Sequence, residues 1–244
     1  MLILRSVVFN VLFYLNLVIH MIAAVPTFFM PRRAIIAVAR SWGRVGNMLL
    51  RLVCGIAVEY RGLEKIPAGA LIVAAKHQSF WETFTLVTLL DDPTYILKRE
   101  LQWIPLFGWY LIKARTIPVV RGARGVALAS MMAGARVALS QGRQIIIFPE
   151  GTRRAPDAEP AYKYGVVHLY GEASTPCLPI ALNSGLFWPR RSFLRHPGTI
   201  RLQVLDPIPP GLDKETFAAR LQHDIESATA RLIAEGEKEL AASR

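Results

Sequence analysis

Two clusters in this 244-residue chain have the residue types and spacing to do chemistry. The first is Ala75-Lys76-His77-Gln78-Ser79-Phe80-Trp81-Glu82, which directly follows the apolar run LIVAA. Five residues separate His77 from Glu82, about 140° around a regular helix, so the two could not meet if both sat mid-helix. They do meet if His77 occupies the turn before a helix and Glu82 its first turn. A carboxylate on one imidazole nitrogen fixes the tautomer and stabilises the imidazolium, leaving the other nitrogen as a base. The same letters also spell a capping box. Ser79-x-x-Glu82 precedes the apolar run 83–90, and in that motif the glutamate bonds back to the serine backbone. Both readings stand on the residues alone.

The second cluster is Phe148-Pro149-Glu150-Gly151-Thr152-Arg153-Arg154, at the end of the run QIIIF. A glycine lets the backbone approach a ligand closely, while a threonine and two arginines supply donors suited to phosphate. A strand-ending turn with solvated arginines is the plain alternative.

Such clusters need a scaffold, and the pattern supplies an α/β one. Short apolar runs at 57–60, 70–75, 94–97, 116–120, 144–148, 177–182 and 199–205 read as strands. Helical patterns lie between them, notably at 126–139 and 162–171. A polar amphipathic helix from Asp213 to about Leu240 closes the chain, with Phe217, Leu221, Ile225 and Leu232 near one face. This alternation predicts a sheet covered by helices, with ligands at strand ends.

The N-terminal part reads differently. From Ser6 to Pro31 there are 26 residues without Asp, Glu, Lys or Arg, enough for the roughly 20 that span a hydrocarbon core. Asn10, Asn16, His20 and Pro26 interrupt it, which keeps a shallow or re-entrant anchor open. Against a cleaved signal peptide, the run is long and no A-x-A-like site leads into a polar start. In the next stretch Arg33, Arg40, Arg44 and Arg51 fall within about 40° on a helical wheel. A basic stripe on an apolar helix is the pattern of a helix lying in a membrane interface; the alternative is an ordinary helix with its arginines in solvent. These arginines place the downstream chain on the cytoplasmic side.

Composition agrees. With 52% hydrophobic and 19% charged residues the chain is not disordered. Its mean hydropathy of +0.32 is high for a soluble enzyme and low for a bundle of membrane spans. A formal charge of +11 favours anionic partners. Nucleic acid is one such partner, but no recognition motif for it is present, so apolarity and basicity together point to a membrane. Cys54 and Cys177 are far apart, and His20, His168, His196 and His223 lack ligand-spaced neighbours, so neither a disulfide framework nor a metal site is expected. Without a neighbouring base, Cys177 reads as a small buried hydrophobe rather than a nucleophile. For Trp103, Phe107, Trp109 and Tyr110 three settings are open: an acyl groove, the headgroup level of a bilayer, or the core.

Taken in order, these blocks resemble the 1-acyl-glycerol-3-phosphate acyltransferase family of glycerolipid synthesis. Besides the His-x4-acid and F-P-E-G-T-R blocks, Lys98-Arg99-Glu100-Leu101 through Pro105-Leu106-Phe107-Gly108 is similar to that family's K-x-E-L…P-x-x-G segment. Leu178-Pro179-Ile180-Ala181-Leu182-Asn183-Ser184-Gly185 is similar to its V-P-[VI]-x-x-x-S block. One departure is Glu82, where the family usually carries aspartate. The resemblance implies a central mixed sheet flanked by helices, preceded by N-terminal membrane-associated helices. It implies a membrane anchor with a basic amphipathic helix over 1–54 and a catalytic domain over 55–244.

The implied reaction moves a fatty acyl group from a thioester, acyl-CoA or acyl-carrier protein, to the free hydroxyl of a lysophospholipid, without cofactor, metal or covalent acyl-enzyme. Lysophosphatidic acid is the default acceptor, with phosphatidic acid as product; another lyso-lipid such as a lyso-aminolipid, or a non-catalytic lipid-binding role, is the alternative. By the resemblance His77 is the base and Glu82 orients it. Lys98, Arg121 and Arg153 meet the acceptor phosphate in the neighbourhood of Gly151 and Thr152. Glu150 holds a basic side chain or an acceptor hydroxyl, and Lys163 in Ala161-Tyr162-Lys163-Tyr164-Gly165 is similar to the family's F-K-x-G. The implied location is the inner membrane, with the catalytic domain on its cytoplasmic side.

Overall fold

Three of the apolar runs have every residue buried: β2 (Leu71–Ala75), β5 (Gln144–Ile147) and β6 (Cys177–Leu182). Runs that are almost wholly apolar, with Gln144 the one polar residue, suit the interior of a parallel sheet covered on both faces. In the computed structural model, which describes residues 1–120 and 124–242, they form the centre of a seven-stranded sheet. The other strands are β1 (Ile56–Arg61), β3 (Pro93–Lys98), β4 (Ile117–Val119) and β7 (Gly198–Val204), and the order is β1-β7-β6-β2-β5-β3-β4. β6, β2, β5, β3 and β4 run parallel, β7 pairs antiparallel with β6, and β1 is parallel to β7. The sheet is mixed, as expected, and each strand falls on one of the predicted runs.

The helices are α1 (Leu2–Ala23), α2 (Arg32–Leu49), α3 (Trp81–Leu89), α4 (Phe107–Lys113), α5 (Arg124–Ser140), α6 (Gly165–Glu172), α7 (Ser184–Phe187) and α8 (Lys214–Ala242). Alternate residues of β2 feed opposite layers, as the period of a strand requires. Leu71, Val73 and Ala75 join one core with Phe9, Phe13, Leu50, Trp81 and Phe84. Ile72 and Ala74 join the other with Met131, Val166, Phe217, Leu221 and Ile225. The helix expected from residue 162 starts only at Gly165. The Lys163 N–H donates to the Pro149 carbonyl at 2.8 Å and holds the preceding residues against the loop after β5.

The N-terminal stretch packs into the first of these cores. Leu2–Phe29 is long and apolar enough to cross a membrane by length and composition. Yet α1 turns Phe9 and Phe13 into the core while Ile3, Leu4, Val11, Tyr14 and Ile22 face outward. On α2 the expected basic stripe is divided. Arg33 and Arg44, and Arg51 just past the helix, are exposed, whereas Arg40 donates to the Val87 carbonyl in the last turn of α3 and to the Leu90 and Asp91 carbonyls just beyond it. Those carbonyls have no partner within their own helix, and a cation there also meets the negative end of the helix dipole.

α2 approaches α3 backbone to backbone. A Cβ on Gly43 would lie 2.5 Å from the Phe84 carbonyl oxygen and 2.9 Å from Thr88 Cγ2. Gly43→Ala is therefore expected to lower the melting temperature. Overpacking costs about 1–3 kcal/mol, against a helix-propensity gain of at most about 1 kcal/mol. Gly125→Ala on α5, where a Cβ meets nothing within 4 Å, should leave the melting temperature level or raise it. An unchanged melting curve for Gly43→Ala would mean that the two helices are not in backbone contact.

Candidate active site

β2 ends at Ala75, and the chain turns through Lys76–Phe80 before α3 begins. His77 lies in that turn and Glu82 in the first turn of α3, the arrangement their spacing demands. His77 Nδ1 is 3.0 Å from Glu82 Oε1. The same oxygen accepts the backbone N–H groups of Gln78 at 2.6 Å and Ser79 at 2.7 Å. The bond back to Ser79 is the one a capping box makes. Orientation of His77 and closure of the turn are thus one arrangement, since a single carboxylate oxygen serves both. Ser79 Oγ accepts from Trp81 N–H at 3.1 Å, one residue earlier than a standard capping box. The second carboxylate oxygen takes the Ser184 hydroxyl at 2.9 Å, and Glu82 itself has no exposed surface.

Both strands beside β2 contribute. From the end of β6, besides Ser184, the Gly185 N–H donates to Gln78 Oε1 at 3.0 Å. From the end of β5, the Phe148 ring stacks on the His77 imidazole with centroids 3.9 Å apart and planes 14° apart. Glu150 Oε2 accepts the His77 backbone N–H at 3.0 Å, and the Arg154 N–H donates to the His77 carbonyl at 2.9 Å. The imidazole is fixed by a carboxylate in its plane, an aromatic ring on its face and backbone bonds on both sides.

Behind the turn is a buried charge cluster that the sequence did not reveal. Lys76 Nζ lies 3.0 Å from Glu150 Oε1, an ion pair without hydrogen-bond geometry. It donates to Glu226 of α8 at 2.8 and 2.9 Å, and the Tyr162 hydroxyl also donates to Glu226, at 2.9 Å. Lys76 and Glu150 are both buried. Burial pushes the Glu150 carboxyl above its ordinary range, against the opposing charge of Lys76. Glu150 thus has a basic side chain, Lys76, beside it. A lysine just before a histidine and a glutamate on an amphipathic helix both look like surface charges, so no pattern marks Lys76 or Glu226. Cys177 is buried in the sheet, and burial pushes its thiol up.

The remaining candidates line the carboxyl edge of the parallel strands. Thr152 is exposed and Arg153 half-buried, with the Arg153 guanidinium carbon 5.7 Å from the centre of the Phe80 ring. Gly151 has a φ of +64°, and a Cβ there would strike Lys163 at Cδ, Cε and Nζ. The Lys163 side chain therefore crosses directly over Gly151. Lys98, at the end of β3, lies two strands from β2, about 10 Å at ordinary strand spacing, and its Nζ is 3.4 Å from Glu100. Arg121 lies outside the described residues.

The chain matches the Acyltransferase family model over residues 57–183. It is 38% identical over 167 residues to a 1-acyl-sn-glycerol-3-phosphate acyltransferase of Pseudomonas aeruginosa, covering 68% of this chain and 65% of the relative. It is 30% identical over 183 residues to the human 1-acyl-sn-glycerol-3-phosphate acyltransferase alpha, covering 72% of this chain and 65% of that one. The match thus spans just under two thirds of the length of these relatives. Among solved structures, the 1-acyl-sn-glycerophosphate (LPA) acyltransferase PlsC of Thermotoga maritima superposes with a TM-score of 0.78 at 23% identity. That alignment covers 95% of this chain and 98% of the other, and it carries the fold.

The buried charges make a thermodynamic signature. Lys76→Met leaves Glu150 buried without its cation, which costs about 3–5 kcal/mol when one partner of a buried pair is removed. Lys76→Met combined with Glu150→Gln should recover part of that loss, because the glutamine still accepts the His77 N–H and carries no charge. Denaturant unfolding of the single and double variants measures this. A double variant no more stable than Lys76→Met would show that the two charges do not interact.

Proposed function

Since the chain belongs to the Acyltransferase family, we propose that it transfers a fatty acyl group from a thioester, acyl-CoA or acyl-carrier protein, to the free hydroxyl of 1-acyl-glycerol-3-phosphate, forming phosphatidic acid. The observation that carries this reading is the 3.0 Å contact between His77 Nδ1 and the fully buried Glu82 carboxylate at the carboxyl edge of the sheet. With Nδ1 engaged, Nε2 takes the proton of the acceptor hydroxyl. The oxygen attacks the thioester carbonyl, the carbon–sulfur bond breaks, and the imidazolium returns its proton to the departing sulfur. Glu82 keeps the imidazolium stable throughout. The acceptor phosphate carries about −1.5 to −2 charges near neutral pH. Arg153, Lys163 and Thr152 gather on the loop beside His77, and Lys98 lies farther along the same edge; these are its binding groups.

In this reading α1 rests in one leaflet rather than crossing the bilayer. It is bonded to the rest of the protein from Ser6, whose hydroxyl accepts the Arg195 N–H, to Met21, whose carbonyl accepts the Tyr110 hydroxyl. That is about 22 Å of helix at 1.5 Å per residue, held against the domain while the opposite face stays apolar and open. The exposed arginines of α2 favour the cytoplasmic side of the inner membrane.

Acyl transfer by the membrane fraction to a panel of radiolabelled lyso-acceptors, with each donor in turn, tests the reaction. His77→Ala should lower turnover about 10²–10⁴-fold, the usual contribution of a positioned base, without releasing the protein from membranes. Glu82→Gln should keep the fold, because its amide oxygen still accepts the two backbone N–H groups. It should nevertheless lose turnover heavily, because the charge that stabilises the imidazolium is gone. Near wild-type transfer by either variant would remove that residue from the mechanism.

A further inference from the structure

In the crossover between the parallel strands β3 and β4, the chain folds a short helical hairpin that displays two tryptophans to the outside. A 3-10 turn over Arg99–Trp103 leads into α4, and Trp103 and Trp109 are 69% and 58% exposed, with Ile104 and Ile112 open beside them. The hairpin is a closely built structure. Leu106 adopts φ +62° and ψ −55°, a strained γ-turn closed by the Phe107 N–H on the Pro105 carbonyl at 2.7 Å. Gly108 packs on the Gln102 backbone so closely that no side chain would fit. Its inner side is seated on the end of α1. Tyr110 bonds the Met21 carbonyl at 2.6 Å, Lys113 bonds the Phe28 carbonyl at 3.1 Å, and the Phe28 and Tyr110 rings stack at 5.1 Å. The hairpin and α1 are therefore neighbours that each present apolar side chains outward.

We propose that this hairpin is a second membrane-contact element, with Trp103 and Trp109 set at the headgroup level of an anionic lipid bilayer. The proposal rests on the reading of α1 as lying in one leaflet, and adds to it which way the catalytic edge points. Continuity is the first support, since the exposed face of α1 and the tryptophans meet at the Tyr110–Met21 junction. Charge is the second. Residues 1–58, 98–115 and 189–197 hold 13 of the 29 basic residues and one of the 18 acidic ones. The loop 189–197 is itself bonded to α1, through the Phe193 carbonyl accepting from Asn10 and Arg195 donating to the Asn10 side-chain oxygen. The elements around the apolar strip thus carry all of the net positive charge, and an anionic surface complements it. Tryptophan suits the boundary because its body is apolar and its N–H needs a polar partner. The hairpin follows the carboxyl end of β3, two strands from His77. A bilayer touching it lies at the active-site edge, where a lysolipid would leave it headgroup first.

The test uses the full chain with vesicles of phosphatidylglycerol and phosphatidylcholine brominated on their acyl chains. Wild-type protein should co-sediment and have its tryptophan emission quenched by bromine. In a Trp42→Phe background, which removes the half-buried tryptophan of α2, Trp103→Phe/Trp109→Phe should still co-sediment but lose most of that quenching, since the two remaining tryptophans, Trp81 and Trp188, are buried. Trp103→Glu/Trp109→Glu should lower kcat/KM about tenfold or more for a long-chain lysolipid presented in vesicles, the scale of withdrawing two large side chains from a bilayer. With a short-chain, monomeric acceptor it should match wild type. Quenching that survives the phenylalanine pair, or equal loss on both acceptors, overturns the proposal while leaving the α1 reading intact. A defect confined to the KM of a carrier-protein thioester would assign the surface to a protein donor and overturn it too. Wild-type protein that ignores the vesicles would bring down the α1 reading and this one together.

Discussion

A carboxylate with no exposure to water must have its lone pairs answered by the protein, and the centre of this fold is arranged around that need at Glu82. Leaving such a charge unpaired costs several kcal/mol. Its oxygens collect His77, two backbone N–H groups and the Ser184 hydroxyl. The donors come from a turn after β2 and a short helix after β6, so their meeting depends on strand register. β2 and β6 pair with Ala75 opposite Ile180, and β2 and β5 with Ala74 opposite Ile147. These alignments bring Ser184, His77 and Phe148 off the sheet at one level. A slip of one residue would turn every side chain of a strand to the opposite face and separate the groups that neutralise Glu82.

The sequence carried the strands and the two motifs because both are local signals. An all-apolar run between turn residues identifies a buried strand without knowledge of its neighbours, and His77-x4-Glu82 fits within one turn and the start of one helix. What it did not carry are contacts made at long range. Glu226 is 150 residues from Lys76 and meets it only because α8, packed on β6 and β7, passes the turn that follows β2. The hairpin at 103–110 was legible as aromatic, but its side-chain directions follow from the γ-turn at Leu106, for which leucine gives no cue. The competing accounts of Glu82 illustrate the opposite case. A capping box and an orienting carboxylate are alternatives only if they need different atoms, and here they share Oε1.

Hydropathy also reports how apolar a segment is and not what it faces. The run 6–31 reads as an anchor, and its outer side fits one, but Phe9 and Phe13 belong to the same core as Leu71 and Trp81. Their spacing of four, continued by Asn16 on the same side, is the helical period of a face packed on protein. Arg40 makes the same point for charge. Its place on the wheel matches Arg33, Arg44 and Arg51, yet the carbonyl ends of α3 lie within its reach and fix it there.

These contacts tie the proposed bilayer face to the catalytic turn. Asn47 of α2 accepts the Trp81 indole N–H at 2.7 Å, and Gly43 and Gly46 let α2 lie against Phe84. Trp81 is the residue beside Glu82, so the helix that carries the carboxylate is positioned by α2. α2 in turn is held under α1 through the Trp42 carbonyl and Asn16. The N-terminal helices consequently act on His77 and Glu82 as well as on the membrane. Removing them would expose the Phe84 and Trp81 side of α3 and free its first turn. Anchoring and catalysis share one set of packing contacts, which gives a physical reason for the active-site edge and the apolar face to keep a fixed orientation.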